Sequence, residues 1–292
     1  MKTIVIIGQG QLGQALTCLH SSHQHRVITV SRNHNQSLSD YHTAIPADLD
    51  NLCNAIDLPQ HIDCLYYLAP PSDTSLQDLR LKRFIELHRH LHIDHIIYIS
   101  TSGVYGDSQG EWITELTPVN PGADRARRRL NAEQQLITYC MDTKTSLTIL
   151  RCAAIYSPKT VNKERITANQ KPVITSQQAP FTNRIHIKDL TQVCWQAMNM
   201  PAPEYEIYNV SDGHPSTTTA HAWLLSDLAG VPRNKEVDIS EAEQFYSPAY
   251  MSYLNESKKL DISKLKLHLK PEFTFEDCHD GILDCLNHKK SE

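Results

Sequence analysis

Three glycines near the start of the chain, Gly8, Gly10 and Gly13 in GQGQLG, have the spacing that cradles a pyrophosphate. The first allows a tight turn. The second lets the backbone approach a phosphate, and the third lets a helix pack closely on a strand. The motif lies directly between an apolar run, Thr3–Ile7, and a helical pattern, so helix-start N–H groups converge there. Gln11 and Leu12 belong to the same cradle. The chemistry indicated is dinucleotide binding. The next apolar run ends in Ser31-Arg32-Asn33, with no acid to bind ribose hydroxyls. Ser31 and Arg32 suit a 2′-phosphate through charge and a forked guanidinium, which favours NADP over NAD. The other reading of Arg32 is a side chain stacked on adenine or turned to solvent. Asp48 is placed to touch the adenine ring, or is a plain loop acid.

Arg125, Arg127, Arg128 and Arg129 crowd the start of another helical pattern, where the macrodipole disfavours cations. They form either an anion site for a phosphate or carboxylate, or a solvated basic face paired with nearby acids. Arg125 and Arg129 share one helix face and are the better candidates. Arg127 and Arg128 are expected to be exposed. The chain also carries 16 His and 8 Cys. No two cysteines form a CxxC pair, and most sit inside apolar patterns, so they read as small hydrophobes rather than disulfide partners. His88, His90, His92 and His95 straddle a helix end and a strand start. Their rings then point in different directions, so no metal is expected.

The elements that position these groups follow from periodicity. Thr3–Ile7, Val27–Val30, Ala44–Ala47, Ile62–Ala69, Ile96–Ile99 and Leu147–Leu150 read as strands, separated by helical patterns. This alternation implies a Rossmann-type α/β fold, a doubly wound parallel sheet with helices on both faces. The last third differs. Asn162–Asn183 reads as a loop or small hairpin, Tyr208–Val210 as one more strand, and Ser216 as a helix cap. Lys264–Leu269 alternates like a strand but follows a helix-cap signature. Residues 1–155 are expected to form the dinucleotide domain, with 184–213 returning to it. Residues 156–183 and 214–292 are expected to form a small, discontinuous C-terminal substrate domain. The 292 residues carry a net charge of −5, which argues against a nucleic-acid or anionic-membrane partner. Hydrophobic residues at 40% and charged residues at 21% exclude a disordered chain. No apolar run reaches the roughly 18 residues of a membrane span. The start lacks the features of a signal peptide, so a cytoplasmic protein is expected.

From STSGVYG (Ser100–Gly106) onward the chain resembles the extended, or atypical, short-chain dehydrogenase/reductase superfamily, the NAD-dependent epimerase/dehydratase group. LRCAAIYSP (Leu150–Pro158), RIHIKDL (Arg184–Leu190) and YNVSDG (Tyr208–Gly213) agree in order. Val104–Pro121 looks closest to the YeeZ-like branch. The resemblance implies hydride chemistry with a bound nicotinamide cofactor, often on nucleotide sugars. Thr101 matches the hydroxyl that bonds the substrate oxygen, and Ser102 could substitute. Ala69 and Pro70 correspond to the loop lining the cofactor. His186 and Asp189 resemble a structural pair between the domains. Dimers are common in the family, but no decisive patch marks a homodimer here.

One departure matters. The family's acid/base tyrosine and its lysine fall on Arg125 and Arg129 when the helix is anchored by Glu133. Arginine cannot exchange a proton near neutral pH. Arg129 can still donate to a ribose hydroxyl, which keeps it with Thr101 and Ser102 among the catalytic candidates. Tyr105, Arg125 and Tyr156 are the candidates to face a small-molecule substrate. Three readings of function remain open: an oxidoreductase or epimerase-like enzyme with altered acid/base equipment, a non-catalytic NAD(P)-binding sensor or scaffold, and a ligand-binding protein whose glycine turn no longer holds a dinucleotide.

Overall fold

Strand and helix alternate through the first two hundred residues, as the apolar periodicity requires. The computed structural model describes residues 1–32, 39–201 and 203–288. Asn33, at the end of the proposed phosphate-reading segment, lies outside the described residues. Strands β1 (Thr3–Ile7), β2 (Arg26–Ser31), β3 (His42–Pro46), β4 (Cys64–Tyr67), β5 (His95–Thr101), β6 (Ser146–Cys152) and β7 (Tyr205–Val210) form one parallel sheet. Their order is β7-β6-β5-β4-β1-β2-β3. The expected doubly wound sheet is therefore present, with β7 returning beside β6.

Helices α1 (Gln11–Ser22), α2 (Leu79–Leu87), α3 (Asp124–Thr143), α4 (Lys163–Ala168) and α5 (Ile187–Asn199) follow in chain order. Alternate residues of β1 serve opposite faces, the period-two rule for a strand covered on both sides. Ile4 and Ile6 pack with Leu12 and Leu16 of α1 and Leu190 and Val193 of α5. Val5 and Ile7 pack with Leu81 and Phe84 of α2 and Leu136 of α3. The chain reverses its direction of travel across the sheet between β1 and β4, which opens a crevice at their carboxyl ends.

The last third is built from short pieces. Asn162–Asn183 is neither a plain loop nor a hairpin. It contains α4 and two strand fragments that pair with distant segments. Val173–Ile174 runs parallel to Glu236–Val237, and Phe181–Thr182 pairs antiparallel with Ser216–Thr217. These pairings join residues far apart in sequence, so local periodicity carries no trace of them. Helix α6 (Thr218–Ala229) is capped by Thr217 rather than Ser216, and Gly230 ends it in the left-handed region at φ +66. Helix α7 (Pro248–Leu254) precedes α8 (Ser263–His268) and α9 (Cys278–Asn287). Lys264–Leu269 thus resolves as mostly helix. No helix among the described residues is long and apolar enough to cross a membrane.

The histidine run divides between core and surface. His88 and His95 are buried, bonded to Phe84 O and to Thr148, while His90 and His92 are exposed. His92 meets Asp94 and His61 at the surface. All eight cysteines are free thiols, and five of them are buried.

Candidate functional site

The glycine turn is enforced by close contacts. Gly8 sits at φ +110, and a Cβ there would meet Ala69 N at 2.9 Å. A Cβ on Gly13 would lie 2.2 Å from Gly8 O. Gly10 is the opposite case, since a Cβ there would meet nothing within 4 Å. The space over Gly10 is open, and Gly10 caps α1 without any side-chain hydrogen bond. No acid stands in the first turn of α1. Backbone donors with the positive end of the dipole behind them therefore face an open cleft.

That cleft measures about 730 Å³ and is walled by Gly8–Gln14, Ser31, Arg32, Asp48, Ala69 and Pro70, among others. Every cofactor candidate named from the sequence lines it. Asp48 is half-buried, and its carboxylate accepts from Asp50 N and Asn51 Nδ2. Arg80, which sequence reasoning missed, braces the cleft. Its fork meets both oxygens of Asp50 at 2.5 Å, and Nη1 donates to Pro70 O at 2.7 Å. The Arg80 fork holds the Asp50 carboxyl below its ordinary range, with Arg32 adding to the effect. Ser157 bonds the Gln11 side chain, and Lys159 reaches Gln14 at 3.2 Å. The loop after β6 thereby leans on the start of α1.

A second cavity of about 430 Å³ adjoins the first. Pro70 and Arg129 line both. Its wall includes Thr101, Ser102, Arg125, Arg128, Cys152, Thr182, Tyr253, Glu256 and Lys258. Thr101 Oγ1 accepts from Gly103 N at 3.1 Å and so caps the short 3-10 turn Ser102–Tyr105. The Arg129 guanidinium donates to Tyr98 OH at 3.2 Å and Ile99 O at 2.9 Å, at the junction of the two spaces. Burial pushes the Tyr98 phenol up to about 12, against the pull of Arg129.

The four arginines divide. Arg127 is exposed and pairs with Asp124 at 2.9 Å, a solvated basic face as one reading has it. Arg125 donates to Ala249 O and Ser252 Oγ of α7, at 3.1 and 2.7 Å. Arg128, expected to be exposed, is half-buried and lines the cavity. The reason is the α3 axis: positions 125, 128 and 129 share one face at three- and four-residue spacing, and 127 faces away.

Two substrate candidates are not on the cavity. Tyr105 is 2% exposed, and its hydroxyl donates to Asn209 Oδ1 at 2.7 Å. Its ring lies under the Arg151 guanidinium, 4.8 Å away. Arg151 in turn grips Glu133 at 2.8 Å, and Ser100 donates to the same carboxylate. Tyr105 thus belongs to a buried network that locks β5, α3 and β6 together. Burial pushes its phenol up to about 12. Tyr156, named as a candidate to face substrate, packs instead with Ile166, Ala229 and Ile282. Burial raises its phenol far above the usual range. Both tyrosines are drawn inward by apolar neighbours from distant segments. His186 and Asp189 tie the sheet to the C-terminal segment rather than to each other. His186 Nε2 meets Cys285 Sγ at 3.4 Å, and Asp189 accepts from Thr274 N at 2.6 Å. Burial holds the His186 imidazole down at about 4.

Sequence reasoning missed Tyr253, Glu256 and Lys258. Tyr253 OH bonds Thr182 and accepts from Arg184 at 3.0 Å. Lys258 and Glu256 form an ion pair at 2.8 Å, with side chains 7% and 10% exposed. These groups reach the cavity from 150 residues away, and no local pattern marks them.

A model of the NAD dependent epimerase/dehydratase family matches residues 4–211. Among curated proteins, the chain is similar to an uncharacterized UDP-glucose epimerase, YtcB, of Bacillus subtilis. Identity is 24% over 240 residues, covering 70% of this chain and 73% of that one. Among solved structures, it is similar to a functionally unknown conserved protein from Silicibacter pomeroyi, at TM-score 0.79 and 24% identity over 98% of both chains. A UDP-glucuronic acid 4-epimerase from Bacillus cereus, solved with NAD, gives TM-score 0.76 and 20% identity over 96% of both. The family match runs from β1 through β7 and spans the glycine turn, Thr101 and the arginine-rich helix start. The chain belongs to the NAD dependent epimerase/dehydratase family.

Proposed function

We infer that the chain binds NADP or NAD in the larger cleft and acts on a small polar or nucleotide-sugar-like substrate in the adjoining cavity. The reaction class is that of an oxidoreductase or epimerase-like enzyme. One observation carries this reading: the glycine turn and Thr101 with Ser102 open onto neighbouring spaces that share Pro70 and Arg129. The residues fit the cofactor, because the open space over Gly10 and a start of α1 with no side-chain cap bond suit a pyrophosphate. The nicotinamide, when bound, supplies a hydride acceptor or donor. Thr101 or Ser102 then orients a substrate oxygen, and Arg129 donates to a ribose hydroxyl at the junction. Ser31 and Arg32 on the cleft wall support a 2′-phosphate and hence NADP. Residues 156–183 and 214–292 act as the substrate-side unit in this reading. The segment Val104–Pro121 supports kinship with the YeeZ-like branch.

Thermal shift with NAD, NADH, NADP and NADPH tests the reading, with Arg32→Asp as control. NADP should stabilise more than NAD, and the variant should erase the difference. If NADP stabilises no more than NAD, the 2′-phosphate assignment is overturned. If no form of the cofactor stabilises the chain, the whole reading is overturned.

A second reading rests on Arg125. It stands at the position of the family's tyrosine, and its guanidinium is committed to Ala249 O and Ser252. A group that cannot exchange a proton favours a non-catalytic NAD(P)-dependent sensor or scaffold. Bound cofactor with no turnover across a broad carbonyl and alcohol panel, and a partner whose affinity follows the cofactor's redox state, would decide for it.

A further inference from the structure

We propose that the smaller cavity selects a ligand bearing an oxyanion, a carboxylate or a phosphoryl group, held chiefly by Arg128 with Lys258. This rests on the reading of that cavity as the substrate end of the site, and it adds the sign of the substrate's charge.

Arg125, Arg128, Arg129 and Lys258 line the cavity, and Glu256 is its one carboxylate. Glu256 is already paired with Lys258. Four cations less one anion leave a surplus of three positive charges around about 430 Å³, in a chain whose net charge is −5. The side-chain partners confirm the imbalance. Arg125 donates to a carbonyl and a serine, and Arg129 to a phenol and a carbonyl, all neutral. Arg128 is half-buried and has no hydrogen bond or ion pair among the described residues. Arg127, on the outward face of the same helix turn, has its acid in Asp124. The outward arginine has an ion pair. Arg125, Arg128 and Arg129 have none among the described residues, and Asp78 is the nearby carboxylate that Arg129 acts on from a distance.

Position sharpens this. The three arginines stand in the first two turns of α3, where the dipole already presents partial positive charge. Cations there repel one another and the helix terminus, so an anion in the cavity relieves both. A guanidinium offers a planar pair of donors that matches carboxylate and phosphate geometry. The Lys258 ammonium has three donors, of which one meets Glu256. A neutral ligand would leave these charges facing each other in a partly desolvated space.

Three probes with one ring separate the possibilities: D-glucose, D-glucuronate and D-glucose 6-phosphate. Binding to the full chain is read by ligand-observed NMR and calorimetry, with and without saturating NADP. At least one charged probe should bind about tenfold more tightly than D-glucose at low salt, the ratio expected from one charge-assisted hydrogen bond. Whichever charged probe wins identifies carboxylate or phosphoryl as the source. Arg128→Gln should lower that affinity about tenfold while leaving D-glucose binding unchanged and thermal stability undiminished, since it removes a cation from a helix start. Equal binding of charged and neutral probes overturns the proposal, as does no binding of either charged probe. So does an Arg128→Gln chain that retains wild-type affinity. If NADP abolishes charged-probe binding, the cations serve the cofactor and the proposal falls. Stabilisation by NADP is scored separately, so failure of the cofactor reading is visible on its own.

Discussion

Alanine at Gly10 and alanine at Gly13 should fail in opposite ways. A Cβ on Gly10 meets nothing within 4 Å, and the backbone there sits at φ −71, which alanine adopts freely. Losing glycine at an N-cap costs roughly 0.5–1 kcal/mol. The stiffer unfolded chain returns about 0.4–1 kcal/mol. Gly10→Ala should therefore keep wild-type stability to within about 1 kcal/mol. Its methyl group, however, occupies the space through which a phosphate would reach the α1 donors. Losing one charge-assisted hydrogen bond costs about 1.5–3 kcal/mol, or roughly 10- to 150-fold in cofactor affinity. At Gly13 the Cβ would lie 2.2 Å from Gly8 O, an overlap with backbone that only a shift of α1 can relieve. Overpacking of that kind costs about 1–3 kcal/mol or more. For a chain of this size the melting temperature should fall by roughly 2–12 °C. Urea denaturation and NADP titration on both variants give the two readouts. A Gly10→Ala protein with wild-type cofactor affinity would refute the placement of the phosphate. A Gly13→Ala protein with wild-type stability would refute the packing argument.

Further outcomes follow from the buried polar groups. Glu133→Gln should cost about 3–5 kcal/mol in urea denaturation, because Arg151 would lose the partner of its buried charge; a loss under about 1 kcal/mol would show that the network is dispensable. Arg80→Ala should weaken cofactor binding several-fold with little change in stability, since its fork holds Asp50 and the Pro70 carbonyl; unchanged affinity would remove Arg80 from the site. Acidification should destabilise the fold below about pH 6.5. Burial holds His95 and His186 down at about 4, so between about pH 4 and 6.5 the unfolded chain binds the more protons and stability rises with pH. Each such histidine contributes a slope of up to about 1.4 kcal/mol per pH unit, and unfolding free energies that stay flat from pH 7 to 5 would contradict it.

The central sheet was legible because its signal is local. Ile4 to Ile7 are all buried, and a continuous apolar run closed by Gly8 needs no distant information to read as a strand covered on both faces. The glycine turn was legible for the same reason, since turn, helix start and close approach all lie within six residues. The substrate side was not. Tyr105 and Tyr156 stand where chain order suggests a site, yet their hydroxyl environments are set by Asn209, Cys278 and Gly281, residues from the far end of the chain. A polar residue's exposure depends on partners that sequence spacing does not disclose.

The arginine cluster shows where that boundary runs. Helical spacing groups Arg125 with Arg128 and Arg129 and sets Arg127 apart, a local fact that the expectation of an exposed Arg128 left unused. Which face meets solvent is not, because α7 and the stretch from Tyr253 to Lys258 decide it by closing over one side. The chain thus brings its cations on a helix whose orientation is fixed by the sheet, and its proton-exchanging side chains on a segment added some 130 residues later. If hydride chemistry occurs here, the proton moves through another group on the cavity, with Tyr253, Glu256 and Lys258 beside the hydroxyls of Thr101 and Ser102 and the Cys152 thiol, or through water, since Arg125 cannot carry it. Tyr253→Phe removes one hydroxyl from the cavity without changing its charge. An active chain that loses turnover while keeping NADP and charged-probe affinity would assign the proton to that residue. Unchanged turnover in the same variant would leave it as a bracket for Thr182 and Arg184, and would pass the role to the Lys258–Glu256 pair, to another hydroxyl or thiol on the cavity, or to water.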